Sequence, residues 1–303
     1  MRGRTPLTLA VGVGAIALVA AGCTSTPSGE GGTDSIAITV HWSEPENPLI
    51  PSNTTETQGG VVVDALFTGL IDYDTETGEP VMANAESIEP DETSTTYTIK
   101  LKPGWKWHDG TDVVAQDYVD AWNHAAYAPN GMANASFFAD ILGYDEVNPA
   151  DPDGDGPQEA PEPSAETMRG LKVVDDLTFE VTLRGPSNLW PIKLGYSAFS
   201  PLPKAFFEDE DAFVKNPIGN GPFKFVSRQE NVELRLTRFD EYQGEKPQIT
   251  DIIFKVYEED TAAYADVLAG TLDFMQQVPA AALQGNKYAT DFPTTSANVP
   301  VAV

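Results

Sequence analysis

Residues 101–122, LKPGWKWHDGTDVVAQDYVDAW, constrain the fold more than any other stretch, because their apolar residues change period from two to 3.6. Tyr97, Ile99 and Leu101 alternate as on a strand, Pro103-Gly104 turns the chain, and Trp105 and Trp107 resume the alternation before Asp109-Gly110 turns it again. From there Val114, Tyr118, Ala121, Trp122 and Ala125 fall on one face of a helix. Asp117 stands in its first turn, where a carboxylate interacts favourably with the helix N-terminus. His108 and Asp109 are therefore turn residues between strand and helix. No nucleophile, second histidine or oxyanion motif accompanies them, so no catalytic residue is assigned.

The same period-two alternation predicts an opening strand at SIAITVHW, with Ile36, Ile38, Val40 and Trp42 on one face. It predicts further strands at TYTIKLK, TFEVTLR, PFKFVS, VELRLTRF and DIIFKVY. PENPLIPSNTTETQGG, with three prolines, reads as an extended loop. VVVDALFTGL has the spacing of a short buried helix ended by Gly69. Helices are also predicted at 114–126 and at TAAYADVLAG, with Gly270 as C-cap. Residues 145–164 are acidic, carry five prolines and lack periodicity, which predicts a surface loop. Strands and helices mix throughout, so the fold class is α/β or α+β.

The N-terminus has another character. Arg2 and Arg4 precede an apolar run too short to span a bilayer, and Ala20-Ala21-Gly22 then leads to Cys23. Residues 1–22 thus read as a secretory signal peptide of the lipoprotein type, although Ala20 replaces the commoner Leu three positions before the cysteine. Cys23 is the sole cysteine, so it forms no intrachain disulfide and is best explained as the acylation site. Two acyl chains on one thiol give stable anchoring to a membrane surface. Residues 23–34, rich in Ser, Thr and Gly, read as a flexible tether.

The chain holds 18 Lys+Arg against 46 Asp+Glu, a net charge of −28. Such a body repels nucleic acid, which is excluded as a partner, and its acidity reads as a solubilising surface. Asp151, Asp153, Asp155, Gly156 and Glu162 match the calcium-loop pattern D-x-D-x-D-G-x5-E letter for letter. Pro152, Pro157 and Pro161 and the lack of flanking amphipathic helices argue against an EF-hand, leaving a looser calcium site as the weak metal candidate. His41, His108 and His124 show no metal-ligand spacing. GYSAF lacks the second glycine of a nucleophile elbow, and GNGPF enters a strand rather than a helix, so neither motif carries its chemistry. No cofactor is expected.

With these elements placed, KPGWKWHDGT followed by AQDYVDAW resembles the signature of the peptide and nickel family of extracellular solute-binding proteins, family 5, which serve ABC-type importers. ALFTGLIDYD, LKVVDDLTFEVTLRGPSNLW, SPLPKAF, NPIGNGPFKF, VELRLTRFDEYQGEKPQI and AYADVLAGTLDF resemble further blocks of that family in order. Two departures are visible. Val114 replaces the Thr that usually caps the helix, so Asp112 becomes the expected cap, and Asn220 stands where Thr is frequent.

The resemblance implies a non-enzymatic, two-lobed α/β protein of the periplasmic-binding (type II) kind. Residues 35–260 would form the first lobe, largely present with a mixed sheet, a subdomain at about 61–170 and the acidic loop 145–164; residues 261–303 would be the hinge and the start of an incomplete second lobe. A truncated gene product or a fragment is the expectation, binding solute weakly or not at all by itself. The implied role is a lipid-anchored receptor, on the outer face of the cytoplasmic membrane or in the periplasm, that captures a small molecule or peptide for the importer's permease subunits. Other solutes (a nickel chelate, haem, an oligosaccharide) and a surface sensor or adhesin without transport remain as alternatives. In peptide-binding members strands at the cleft pair with the ligand backbone, and water-filled pockets tolerate different side chains. The resemblance carries that role onto Asn53, Thr54, Thr55, Glu56 and Thr57, just before an expected Gly59-Gly60 turn, with Phe137 and Phe138 as an aromatic wall and Met275 and Gln276 facing the cleft from the second lobe.

Overall fold

The computed structural model describes residues 36–154 and 160–292; the expected signal peptide, the expected tether with Cys23, and Asp155 and Gly156 of the calcium pattern lie outside the described residues. Residues Ser35–Val303 form one compact unit. In chain order the strands are β1 (Ala37–Trp42), β2 (Ile71–Tyr73), β3 (Pro80–Met82), β4 (Ala85–Pro90), β5 (Thr96–Leu101), β6 (Leu171–Asp175), β7 (Thr178–Thr182), β8 (Phe223–Gln229), β9 (Glu233–Arg238) and β10 (Asp251–Val256). The longer helices are α1 (Thr57–Leu66), α2 (Ala115–Ala126) and the segment Asp260–Ala269.

One sheet has the order β4-β5-β7-β6, antiparallel throughout. Tyr97, Ile99 and Leu101 point inward from β5 and Phe179 and Val181 from β7, all buried, while Lys100–Glu86 and Lys172–Glu180 pair on the wet face. This alternation gives α2 an apolar surface to sit on. Tyr118 stacks on Phe179 at 5.7 Å, and Trp122 meets Phe179, Phe199 and Trp190 edge-on at 5.4–6.4 Å. Trp122 also donates its indole N–H to the Phe199 carbonyl at 2.9 Å, so its polar edge is satisfied inside the core.

The α2 N-terminus differs from expectation. Asp112 does not cap it; that side chain pairs with Lys106 on the preceding turn. The capping group is Asp117, whose Oδ2 accepts from the Val114 N–H and from the Trp107 indole N–H, both at 2.9 Å. A valine has no acceptor to offer, so the carboxylate three residues on supplies the satisfied half of a capping box.

The second sheet has the order β1-β10-β9-β8, with β1 and β10 parallel and the rest antiparallel. Val40, Trp42, Ile252, Phe254, Leu234 and Leu236 bury its inner face. Ile36 precedes β1 and is half exposed, so the apolar alternation starts to count only from Ile38. α1 packs beneath this sheet, but it begins at Thr57 and ends at Leu66, and Gly69 lies beyond it as loop. Gly59 and Gly60 are helical and form no turn; a Cβ on Gly59 would approach Glu56 Oε1 and Thr54 Cγ2 at 2.7 Å, so the glycine is there for close packing. The sheet order also includes β4 and β6, which the alternation did not single out. Their exposed positions hold Glu86, Glu89 and Lys172, and each is an edge strand.

The loop before β8 locks onto the end of α1 and onto the His108 turn. Asn220, fully buried, accepts from the Thr68 N–H and donates to the Thr68 carbonyl, both at 2.9 Å, as a strand neighbour would. Gly221 N–H donates to Leu66 O at 2.8 Å, and a Cβ on Gly219 would lie 1.8 Å from that same oxygen. Only glycine permits that approach.

Candidate functional site

Parallel strands leave a crevice at their carboxyl ends, where their connections diverge. β1 and β10 end side by side at Trp42 and Val256. A third segment arrives from beyond the helix Asp260–Ala269, which Gly270 ends in the left-handed conformation at φ 72°. That segment runs along the free edge of β1: His41 N–H donates to Phe274 O at 2.8 Å, Phe274 N–H to Thr39 O at 3.1 Å, and the Asp273 carboxylate accepts from the Thr39 N–H and hydroxyl, both at 2.7 Å. These bonds hold the Asp273 carboxyl below its ordinary range. The edge pairing carries Gln276 and Gln277 over the strand ends, and the first turn of α1 brings Gln58, whose carbonyl accepts from the Trp42 indole at 2.7 Å.

The result is a pocket of about 140 Å³ lined by His41, Gln58, Tyr257, Glu258, Asp260 and Gln276 among others. His41 Nε2 lies 3.5 Å from Asp260 Oδ1, and the imidazole packs against the Tyr257 ring at 5.6 Å. Tyr257 donates to Asp266 Oδ2 at 2.7 Å; burial first, then that carboxylate, pushes its hydroxyl up to about 12, so it stays protonated. Carboxamides that both donate and accept, beside carboxylates and an imidazole, suit the recognition of a polar solute by hydrogen bonds.

Of the residues expected at the site, Gln276 lines this pocket, exposed, and Met275 beside it is half-buried. The strip 53–57 lies just before Gln58 but is not a sheet edge. Thr54 is buried, its N–H donates to Ile50 O at 3.0 Å and its carbonyl accepts from Asn134 Nδ2 at 2.8 Å. Asn53 Oδ1 accepts from the Ala133 N–H at 3.1 Å. The Pro51–Asn53 turn thus spends the Asn53 N–H and both backbone groups of Thr54 on the protein itself, whereas Thr55 and Thr57 are exposed and Glu56 is the N-cap of α1. Phe138 is fully buried against Trp122 and Phe199 and belongs to the core. Phe137 is half-buried and stacks on Tyr196 at 4.4 Å, with 6° between the rings.

Asp151, Asp153 and Glu162 are exposed, and Asp151 Oδ1 accepts from the Asp153 N–H at 3.1 Å. Among the described residues no three His, Cys, Asp or Glu side chains gather as a metal site. Sequence reasoning missed His41, Gln58, Tyr257 and Asp260. For His41, Tyr257 and Asp260 the available signal was positional, polar residues at or just past the ends of two predicted strands, whereas Gln58 lay in a predicted loop.

His108 and Asp109 hydrogen-bond to different partners. Asp109 Oδ1 accepts from the Thr111 N–H at 2.9 Å and its hydroxyl at 2.6 Å, closing the turn. His108 Nδ1 accepts from the Gly219 N–H and Nε2 donates to the Gly221 carbonyl, both at 3.1 Å, which fixes one neutral tautomer. Burial lowers the imidazole to about 4, so it stays uncharged. The pair is a structural clamp.

Residues 79–300 match the family of bacterial extracellular solute-binding proteins, family 5 Middle. The chain belongs to this family. Family 5 proteins are binding proteins and not enzymes, in keeping with a clamped His108. A dipeptide-binding protein of Escherichia coli is 29% identical over 231 residues, covering 72% of this chain and 40% of its own length. The oligopeptide-binding protein OppA of Bacillus subtilis is 26% identical over 255 residues, covering 82% and 44%. Among solved structures, the murein tripeptide binding protein MppA of Escherichia coli superposes with a TM-score of 0.74 at 26% identity, over 86% of this chain and 49% of that one. OppA of Haemophilus influenzae in complex with RPPGFSPFR gives 0.72 at 25%, over 85% and 49%. The fold is that of type II periplasmic binding proteins, and the chain spans less than half the length of each of these relatives. Among the described residues no helix is long and apolar enough to cross a membrane.

Proposed function

We propose that this chain captures a peptide and presents it to the permease of an ABC-type importer, with the pocket at the ends of β1 and β10 as part of the capturing surface. The carrying observation is the convergence there of Gln58, Tyr257 and Gln276 from separate segments of the chain. Each carboxamide matches the paired donor and acceptor of a peptide group. The relatives named for dipeptides and oligopeptides, and the OppA structure that holds RPPGFSPFR, support a peptide as solute. On this reading residues 35–260 form a first lobe and 261–303 enter a second, and exposed Thr55 and Thr57 flank the solute. Acylated Cys23, on the same reading, tethers the protein to the outer face of a membrane.

Calorimetric titration with short peptides, a maltooligosaccharide and a nickel–histidine chelate tests the solute class. Saturable but weak heat with the peptides alone is expected of a chain that spans less than half its relatives' length, and Gln276→Ala weakens it further, roughly two- to tenfold, the worth of one lost hydrogen bond. Binding of the sugar or the chelate in place of peptides overturns the proposal. Mass spectrometry of the mature N-terminus tests the lipid: a diacylated Cys23 is expected, and an unmodified thiol removes the anchor.

A further inference from the structure

A larger cavity, about 400 Å³, opens at the other end of α1 from the pocket at the strand ends, roughly 14 Å away along the helix. Its walls are aromatic: Phe67, Tyr73, Tyr196 and Tyr242 line it. The hydroxyls of two of these tyrosines are already used, Tyr73 donating to Ile192 O at 2.6 Å and Tyr242 sharing a hydrogen bond with Thr68 Oγ1 at 3.1 Å. Tyr196 is held by its stack on Phe137. The rings are thus fixed as walls while their polar tips are satisfied elsewhere.

Two carboxylates, Asp64 and Asp72, share the same cavity, and no Lys, Arg or His is among its lining residues. Asp72 Oδ1 accepts from the Tyr73 N–H at 2.8 Å. Asp64 is exposed as a residue, yet desolvation of its carboxyl inside the cavity and then the charge of Asp72 push that carboxyl up from its ordinary value. A separate observation points the same way. Ser200, only 5% exposed, lines the cavity, and its hydroxyl has no hydrogen-bond partner among the described residues. Its oxygen opens to the cavity rather than being sealed in the core, so it is free to meet a ligand group in place of water.

We infer that this cavity is a second binding site, for a small organic cation carrying a primary ammonium on an apolar body. The ammonium's donors would be met by Asp64, Asp72 and Ser200, which all accept, and the apolar body by ring faces that attract positive charge. The site does not depend on the peptide reading, because no residue of it lines the pocket at the strand ends.

Titration calorimetry of the full chain with phenethylammonium, against the neutral isostere 2-phenylethanol, tests it. The expected result is saturable binding of the amine that weakens at least about tenfold in Asp64→Asn/Asp72→Asn and about threefold in Ser200→Ala, with Gln276→Ala unchanged. Asp64 and Asp72 are exposed at the surface, and an unchanged circular dichroism melt shows that the double variant is folded. Equal affinity for the alcohol, indifference to the double substitution, loss on Gln276→Ala, or no saturable binding of the amine at millimolar concentration each overturns the inference.

Discussion

Two buried titratable side chains within one turn-helix unit work against each other. His108 is lowered from 6.5 to about 4 by burial. As pH falls from 6.5 the unfolded imidazole takes up a proton that the folded one refuses, so this residue's contribution to stability is lost on the way down to about 4. Asp117 is raised from 3.8 to about 6, again chiefly by burial. Its folded carboxyl takes up a proton first, so it stabilises the protein at low pH and loses that contribution as pH rises through 6. The two effects offset across the same window. Asp117→Asn keeps an acceptor for Trp107 or Val114 but removes the compensation. Urea midpoints are therefore expected to drop more steeply between pH 6.5 and 4 in the variant than in the parent; parallel pH profiles would contradict the assignment. Asn220 gives a second test at this scale. Asn220→Ala leaves the Thr68 N–H and carbonyl without partners, and a loss of about 1–3 kcal/mol is expected in denaturant unfolding.

At the scale of elements, the packing of α2 on its sheet holds the largest aromatic cluster together. Trp122 touches Tyr118, Phe138, Phe179, Trp190 and Phe199, and truncating it leaves a cavity that rigid neighbours cannot close. Trp122→Ala is expected to cost about 3–5 kcal/mol by equilibrium unfolding, whereas removing Lys100 from its exposed pair with Glu86 costs less than about 1 kcal/mol. This region was also the most legible in the sequence, because a period change from Leu101 to Trp122 is written in residues that end up inside, except Val114, which is the half-buried N-cap while Val113 takes the buried place. β4 and β6 were not legible: AESIEP and LKVVD carry charges on edge strands that face water on much of their surface, so alternation is diluted. The start of α1 was hidden for a different reason. Gly59 and Gly60 signal a turn by propensity, but close packing against Thr54 and Glu56 makes a glycine necessary at position 59 inside the helix, while a Cβ on Gly60 would meet open space.

Across the whole molecule, the fold class followed from local periods and the family from the order of its motifs, but the site did not. Its residues come from positions near 41, 58, 257 and 276. Only the parallel pairing of β1 with β10, and the docking of the segment at Phe274 on β1, bring them together. No short-range pattern encodes such a meeting. The candidates carried over by resemblance divide accordingly. Gln276 reaches the pocket, Thr55 and Thr57 are exposed but do not line it, and Phe138 is spent on the core. The central claim is that solute meets the protein at these strand ends. It is tested most directly by the Trp42 indole N–H in a nitrogen–proton NMR spectrum during titration with a short peptide, because that group donates to Gln58 at the pocket wall. A saturable shift of the Trp42 signal, with the core Trp122 signal unmoved, is the expected result. Saturable peptide binding that leaves Trp42 unshifted would contradict it.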